Sequence, residues 1–487
     1  MVLLAVFGVL VFQNSLVFAD SSLDRRSILE NLKQQMAKMQ ETIDAQNARI
    51  QHLEAIVPTD VPPSRNCGLK SKTADALPKI EQKIGAKDTA ACFPWGKPSG
   101  DIRLRYEGFD YYNKNNDAGS TGTASDRTRN RFRVRLRFGL DKDTGDDWKV
   151  GFRIATGNQT DATSTNQTLG NSGYFTFKAI NVDRVYAIYE PSILKNKGVL
   201  TGVKIGAGKF DNPFLRYSTG ILWDTDVTPE GIYEQGNMRF VDTDNDQLIF
   251  QTTAGQFILN ENAGVDTDAA LFGYQAALNW TTTCLRMPQP VNLATAVSYY
   301  DYTNWFGTVK NNTTGVSLLR TNSIVADRFR VLDLYPEFTI HVKKDLPLTA
   351  WADYALNTAN VGTEDVVQSG GNDIHDSDSA WGVGFKLGKA KTKSGWEFSY
   401  GYYEIGVNAV VAAFGEADYG GPGQNGYTNR KGHRLGLVYL ITDSISLYLT
   451  GYWMRPLHPF DGNATIGIQH STNEDVFRSQ VDLVYKF

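Results

Sequence analysis

The chain is poor in the residues that most chemistry requires. It has six histidines and three cysteines in 487 residues. His52, His341, His375, His433, His458 and His470 stand far apart, and HExxH, Walker and GxSxG sequences are missing, so no catalytic constellation emerges and no enzyme is expected. Cys67 and Cys92 lack ligand-spaced cysteine or histidine neighbours, which disfavours zinc; in an oxidising compartment they pair or stay free thiols, and Cys284 is distant. The run "DTDND" at 242–246 has neither the glycine nor the closing glutamate of a calcium loop, so no metal and no cofactor is expected. A formal charge of -4 argues against nucleic acid as a partner. Mean hydropathy, at -0.33, is too low for a bundle of membrane helices. The only long apolar run is "VLLAVFGVLVFQNSLVFA", residues 2–19. Val17 and Ala19 before Asp20 suit a signal-peptidase site, so residues 1–19 are expected to be a signal peptide. No basic residue precedes the run: either the true start lies upstream, or the segment is an uncleaved anchor.

What the chain does have is glycine and aromatics: Gly 45, Tyr 23, Phe 25 and Trp 9 against Pro 16, the composition of strands and turns. In "RNRFRVRLRF" (129–138), Arg129, Arg131, Arg133, Arg135 and Arg137 alternate with Phe132, Val134, Leu136 and Phe138. A helix would mix the two sets; a strand of period two separates them completely. Sixteen alternating segments of spanning length follow from residue 100 onward, including 201–210, 245–253, 256–262 and 270–282. Short connections such as "DKDTGDD" and "ITDS" alternate with long polar ones at 111–128, 158–180, 303–330, 357–379, 406–429 and 455–477. That asymmetry predicts an all-β fold, a transmembrane antiparallel β-barrel of about sixteen strands over 100–487, with both barrel ends on the short-turn side. A soluble sandwich or propeller requires no such alternation, and no propeller-length repeat is found.

Ahead of the barrel, Leu29, Leu32, Met36, Met39, Ile43, Gln46, Ile50, Leu53 and Val57 recur at spacings of three and four. This predicts a short α-helical coiled coil over 20–57, or an amphipathic helix lying on the barrel. "PTDVPP" ends it and opens a linker over 58–99, where Cys67 and Cys92 are the preferred disulfide.

The alternation puts Ile102, Leu104 and Tyr106 into lipid, with Arg103, Arg105 and Glu107 facing the lumen, and Lys149 and Arg153 inward opposite Trp148, Val150 and Phe152. Three strands then share one basic wall, and such crowded like charges require water or counter-charges. The longest connection, 211–244, offers Asp224, Asp226, Glu230 and Glu234 as counter-charges, and its aromatics suggest a packed element.

The words "GDIRLRYE", "RNRFRVRLRFGL", "WKVGFRIATG", "STNQTLG", "GAGKFDNPF", "WDTDVTPEG" and the ending "VDLVYKF" resemble the putative porins of Gram-negative outer membranes, allied in architecture to phosphate-selective and general porins. The resemblance implies a passive channel in the bacterial outer membrane, with the coil and both barrel ends periplasmic. It implies that 211–244 folds into the lumen, the alternative being an external loop that covers the mouth or packs on a neighbouring subunit, and that Tyr485 and Phe487 form the terminal signal read by the outer-membrane assembly machinery. A homotrimer is expected, with the coil either driving assembly or tethering the barrel to peptidoglycan. The arginines favour anions and the acidic loop opposes them, so a mild anion preference is expected. A solute-specific anion or carbohydrate channel is the alternative, and an adhesin or enzyme on the same barrel a more distant one.

Overall fold

The computed structural model describes residues 96–113, 127–171, 173–261, 268–283, 287, 289–304, 328–359, 377–420, 428–458 and 474–487. All lie in the second of two compact units, Ile84–Phe487. The expected signal peptide, coiled coil and Cys67–Cys92 pair lie outside the described residues, as does Cys284.

The strands are β1 (Lys97–Asn113), β2 (Arg127–Gly145), β3 (Trp148–Thr156), β4 (Gln167–Thr168), β5 (Ile180–Tyr189), β6 (Leu200–Lys209), β7 (Glu230–Asp242), β8 (Asp246–Asn260) and β9 (Ala269–Thr282). They continue with β10 (Val291–Thr303), β11 (Phe329–Lys343), β12 (Leu346–Asn357), β13 (Ser379–Gly388), β14 (Trp396–Ile405), β15 (Arg430–Leu440), β16 (Ile445–Pro456) and β17 (Glu474–Lys486). Sixteen of them pair antiparallel in sequence, and β17 pairs back onto β1, so the sheet closes and no wall edge stays open. The two-residue β4 is not part of that ring. It belongs to the connection after β3 and pairs only with Arg133 and Val134 of β2.

Closure is sealed at the last residue. The Gly100 and Phe487 amides each donate to the other's carbonyl, at 3.1 and 3.2 Å. A Cβ on Gly100 would stand 2.2 Å from the Arg137 carbonyl oxygen and 2.7 Å from the Phe487 ring, so only glycine fits there. The outer surface carries the apolar halves of the alternation: Leu104 is 52% and Phe132 61% exposed. The interior is divided. Residues 210–229 and 406–420 fold inward, and Phe214, Ile221, Trp223, Val410 and Val411 pack on Tyr300, Phe329, Tyr403 and Tyr452 of the wall. The opposite wall, β1, β2 and β17, is charged.

The expected number of wall strands agrees, but two of the expected segments are wrong in compensating ways. Segments 245–253 and 256–262 are one strand, β8, in which Ala254 and Gly255 continue the ladder instead of turning. Gly255 is there for space: a Cβ would lie 2.6 Å from the Phe257 ring and 3.2 Å from that of Phe214. Conversely, β7 occupies the second part of the segment read as a loop over 211–244. Its outer face, Ile232, Glu234, Gly236, Met238 and Phe240, holds a carboxylate and a glycine, which hid the alternation. The barrel also begins at Lys97, inside the expected linker.

Candidate functional site

On β1, β2 and β17 the period-two backbone turns Asp101, Arg103, Arg105, Glu107, Arg131, Arg133, Arg135, Arg137, Arg478, Gln480 and Asp482 inward. Register then sets Arg103 beside Arg135 and Arg105 beside Arg133, between the opposite-charge pairs Asp101 with Arg137 and Glu107 with Arg131. Like charges directly opposite each other destabilise a sheet, so these rungs depend on carboxylates from other elements.

Carboxylates reach the ladder from four places. From β17, Asp482 takes the Arg105 fork through both oxygens, at 2.6 and 2.7 Å. Within β1, Asp101 accepts from Arg135 Nη2 at 2.7 Å and Arg137 Nη2 at 2.6 Å. Glu107, fully buried, accepts from Arg131, from Arg478 Nε at 2.9 Å and from Gln480 Nε2 at 2.9 Å. From the first inward segment Asp226 reaches Arg137 at 3.3 Å and Arg135 at 4.0 Å. From the second, Asp418 reaches Arg478 at 2.5 Å and Arg105 at 3.5 Å. The acidic groups therefore touch the ladder directly and do not face it across open water.

The two inward segments are tied to each other. Asp224 accepts from the Ala417 amide at 3.2 Å and from the Asp226 amide at 2.8 Å, and its own amide donates to the Phe414 carbonyl at 2.6 Å. Burial raises the Asp226 carboxyl, but Arg135, Arg103 and Arg137 outweigh it and hold the group below its ordinary range. Asp418 is likewise held well below by Arg478 and Arg105 against its own burial. Asp224 moves the other way: burial, then the neighbouring Glu416 and Asp226, push it well above the carboxylate range. Glu416 is raised too, by burial and by Asp418.

Of the residues picked out from sequence, Arg103, Arg105, Arg131, Arg133, Arg135 and Arg137 come together, with Asp226 as the contributor from the loop. Arg129 and Lys149 are exposed beyond the cluster. Arg153 is engaged by Asp183 of β5. Glu230 opens β7 and pairs with Lys209 at 2.8 Å. Glu234 sits on the outer face of β7, between the inward-pointing Tyr233 and Gln235, because a strand and not a loop carries it. Tyr485 and Phe487 are exposed at the barrel's closing seam, their rings 5.8 Å apart. Sequence reasoning missed Asp418 and the inward course of 406–420, although "VNAVVAAF" inside an otherwise polar connection was the available signal. It also missed Arg478 and Asp482, whose partners are 371 and 377 residues away.

A family model described as a putative porin matches residues 107–324 and 321–456. No curated protein matches the chain. Among solved structures the chain is similar to OmpF of Salmonella typhi in complex with daunomycin, at 11% identity over 80% of this chain and 97% of that one, TM-score 0.42. OprB of Pseudomonas putida in its high-pH structure is similar at 10% identity over 80% and 94%, TM-score 0.42. Since the family model spans well over half of its length, the chain belongs to the putative porin family.

Proposed function

We propose that the barrel is a constricted, water-filled channel for passive diffusion of small hydrophilic solutes and ions across the outer membrane, mildly selective for anions and without enzymatic activity. Family membership supports a porin channel in an outer membrane. One observation carries the anion preference: the seven ladder arginines, Arg103, Arg105, Arg131, Arg133, Arg135, Arg137 and Arg478, outnumber the five carboxylates that pair with them, Asp101, Glu107 and Asp482 of the strands and Asp226 and Asp418 of the inward segments, among the described residues. An excess of one sign at a constriction filters the other sign. The two inward segments narrow the lumen against this wall.

In the same proposal residues 1–19 direct export, 20–57 form the coil and 58–99 the linker. Three barrels associate in the lipid, Tyr485 and Phe487 are read by the assembly machinery, and the ends of the barrel are periplasmic. Purified protein in a planar bilayer is expected to give stable conductance steps and, in a salt gradient, a zero-current potential of the anion-selective sign. A folded barrel that gives no steps overturns the channel; a cation-selective sign overturns the preference.

A further inference from the structure

Two of the seven ladder arginines have no carboxylate at hydrogen-bonding distance among the described residues. The nearest to Arg103 is Asp482 at 3.9 Å and the nearest to Arg133 is Glu107 at 3.9 Å, although both side chains are almost nine-tenths buried. Neutral groups of the segment around β4 fill the vacancy. Arg103 donates through Nε and Nη2 to Asn166 Oδ1, at 3.1 and 2.6 Å, the fork geometry normally made with a carboxylate. Arg133 Nη2 donates to Ser164 Oγ and to the Asn166 carbonyl, each at 3.2 Å, and its Nε has no hydrogen-bond partner among the described residues. Two guanidiniums thus converge on one asparagine, with one buried donor unused.

A buried cation whose counter-charge stands beyond hydrogen-bonding distance is costly, and an amide oxygen compensates it far less than an anion does. We infer that Arg103 and Arg133 form a binding site for a small oxyanion, a phosphate or a carboxylate, which takes the place of the Asn166 side chain, with Ser164 Oγ as an additional donor. The ligand chemistry follows from the donors: two planar forks and a hydroxyl, all donating, match several acceptor oxygens on one charged group. Ser164 also borders a cavity of about 840 Å³, together with Asn158, Thr160, Thr165, Asp183 and Asp226, and the proposed approach is from that side. Of its four carboxylates, Asp183 is held by Arg153, Asp226 by Arg137 and Thr165, and Glu230 by Lys209, while Asp161 accepts from the Thr163 amide and hydroxyl. Asp226 also fixes the backbone next to Asn166, so the side chain can yield while the segment stays in place.

The inference rests on the channel reading only for access from the lumen, and its test has two readouts. In a planar bilayer carrying chloride, added phosphate is expected to reduce the current saturably, and acetate is the planar comparison. In detergent, phosphate at constant ionic strength is expected to raise the unfolding temperature of the full chain. Asn166→Asp places a carboxylate at the site from within. It is expected to keep the fold and to weaken both effects by at least about tenfold, the equivalent of one charge-assisted hydrogen bond. Arg103→Gln and Arg133→Gln should each weaken them too. Stabilisation without conductance would retain the site and overturn the channel. Wild-type protein indifferent to both anions in both assays, or Asn166→Asp responding like wild type, overturns the site. Response to phosphate alone marks a tetrahedral ligand, and equal response to acetate marks a carboxylate site.

Discussion

Arg105 of β1 and Asp482 of β17 face each other in register across the closing seam and share two hydrogen bonds, with both side chains over nine-tenths buried. Removing one partner leaves the other charged and unhydrated. Asp482→Ala is therefore expected to cost about 3–5 kcal/mol, the penalty of a broken buried pair. Arg105→Met combined with Asp482→Leu should recover most of it. Thermal unfolding in detergent measures both, and a single variant as stable as wild type would show the pair to be hydrated.

Replacing Arg133 and Arg135 together by serine removes two of the seven ladder charges. The zero-current potential should move toward cations, while the apolar outer face that fixes the strand is unchanged. An unmoved potential would separate the ladder from the conduction path.

Asp226→Asn acts in the opposite direction. It removes the loop's counter-charge from Arg135 and Arg137, so the potential should move toward anions. The amides of residues 163–168, where Thr165 donates to Asp226 through its amide and hydroxyl at 3.2 and 3.1 Å, should exchange hydrogen faster. Slower or unchanged exchange would contradict the clamp.

Docking of the inward segments should weaken at both ends of the pH scale. Asp226 and Asp418, held below the ordinary value of 3.8, stabilise docking fully above that value and lose the contribution as pH falls through their lowered pKa. Asp224, pushed well above the ordinary range, favours the folded state while protonated and withdraws that contribution as pH rises toward its raised pKa. Amide exchange of Val410 and Val411, corrected for intrinsic rates, should be slowest between these limits. Asp224→Asn combined with Glu416→Gln, the second raised carboxyl, should remove the alkaline decline and leave the acid one. If both limbs persist, another group controls docking.

The proposed coil can be tested by deleting residues 28–57. If crosslinking and native mass still give a trimer with normal conductance, the heptad seam does not drive assembly; if monomers result, it does.

How far the sequence is legible depends on where a residue's partner lies. Arg129–Phe138 declares its strand because a single segment contains the whole period-two pattern. Asp418 cannot be assigned to the ladder that way: its partners Arg105 and Arg478 lie on strands at opposite ends of the chain, and only barrel closure unites them. Glu234 misleads for the reverse reason. Its charge suggests a loop, yet Tyr233 and Gln235 beside it make the inward contacts that define the strand. Asn166, a neutral residue in a polar connection, carries no local mark of the two arginines it holds.

The bond between Gly100 and Phe487 has a consequence for the order in which the molecule is made. β1 is made early, but one of its two neighbours, β17, is the last of the described strands to be made, and Asp482, which takes the Arg105 fork, follows 377 residues later. Until β17 joins it, β1 has one unpaired flank, whose inward charges, Asp101, Arg103, Arg105 and Glu107, stay hydrated. Closure of the described sheet therefore waits for β17: a chain stopped just before it has every other strand pairing available and still lacks the strand that joins β16 to β1.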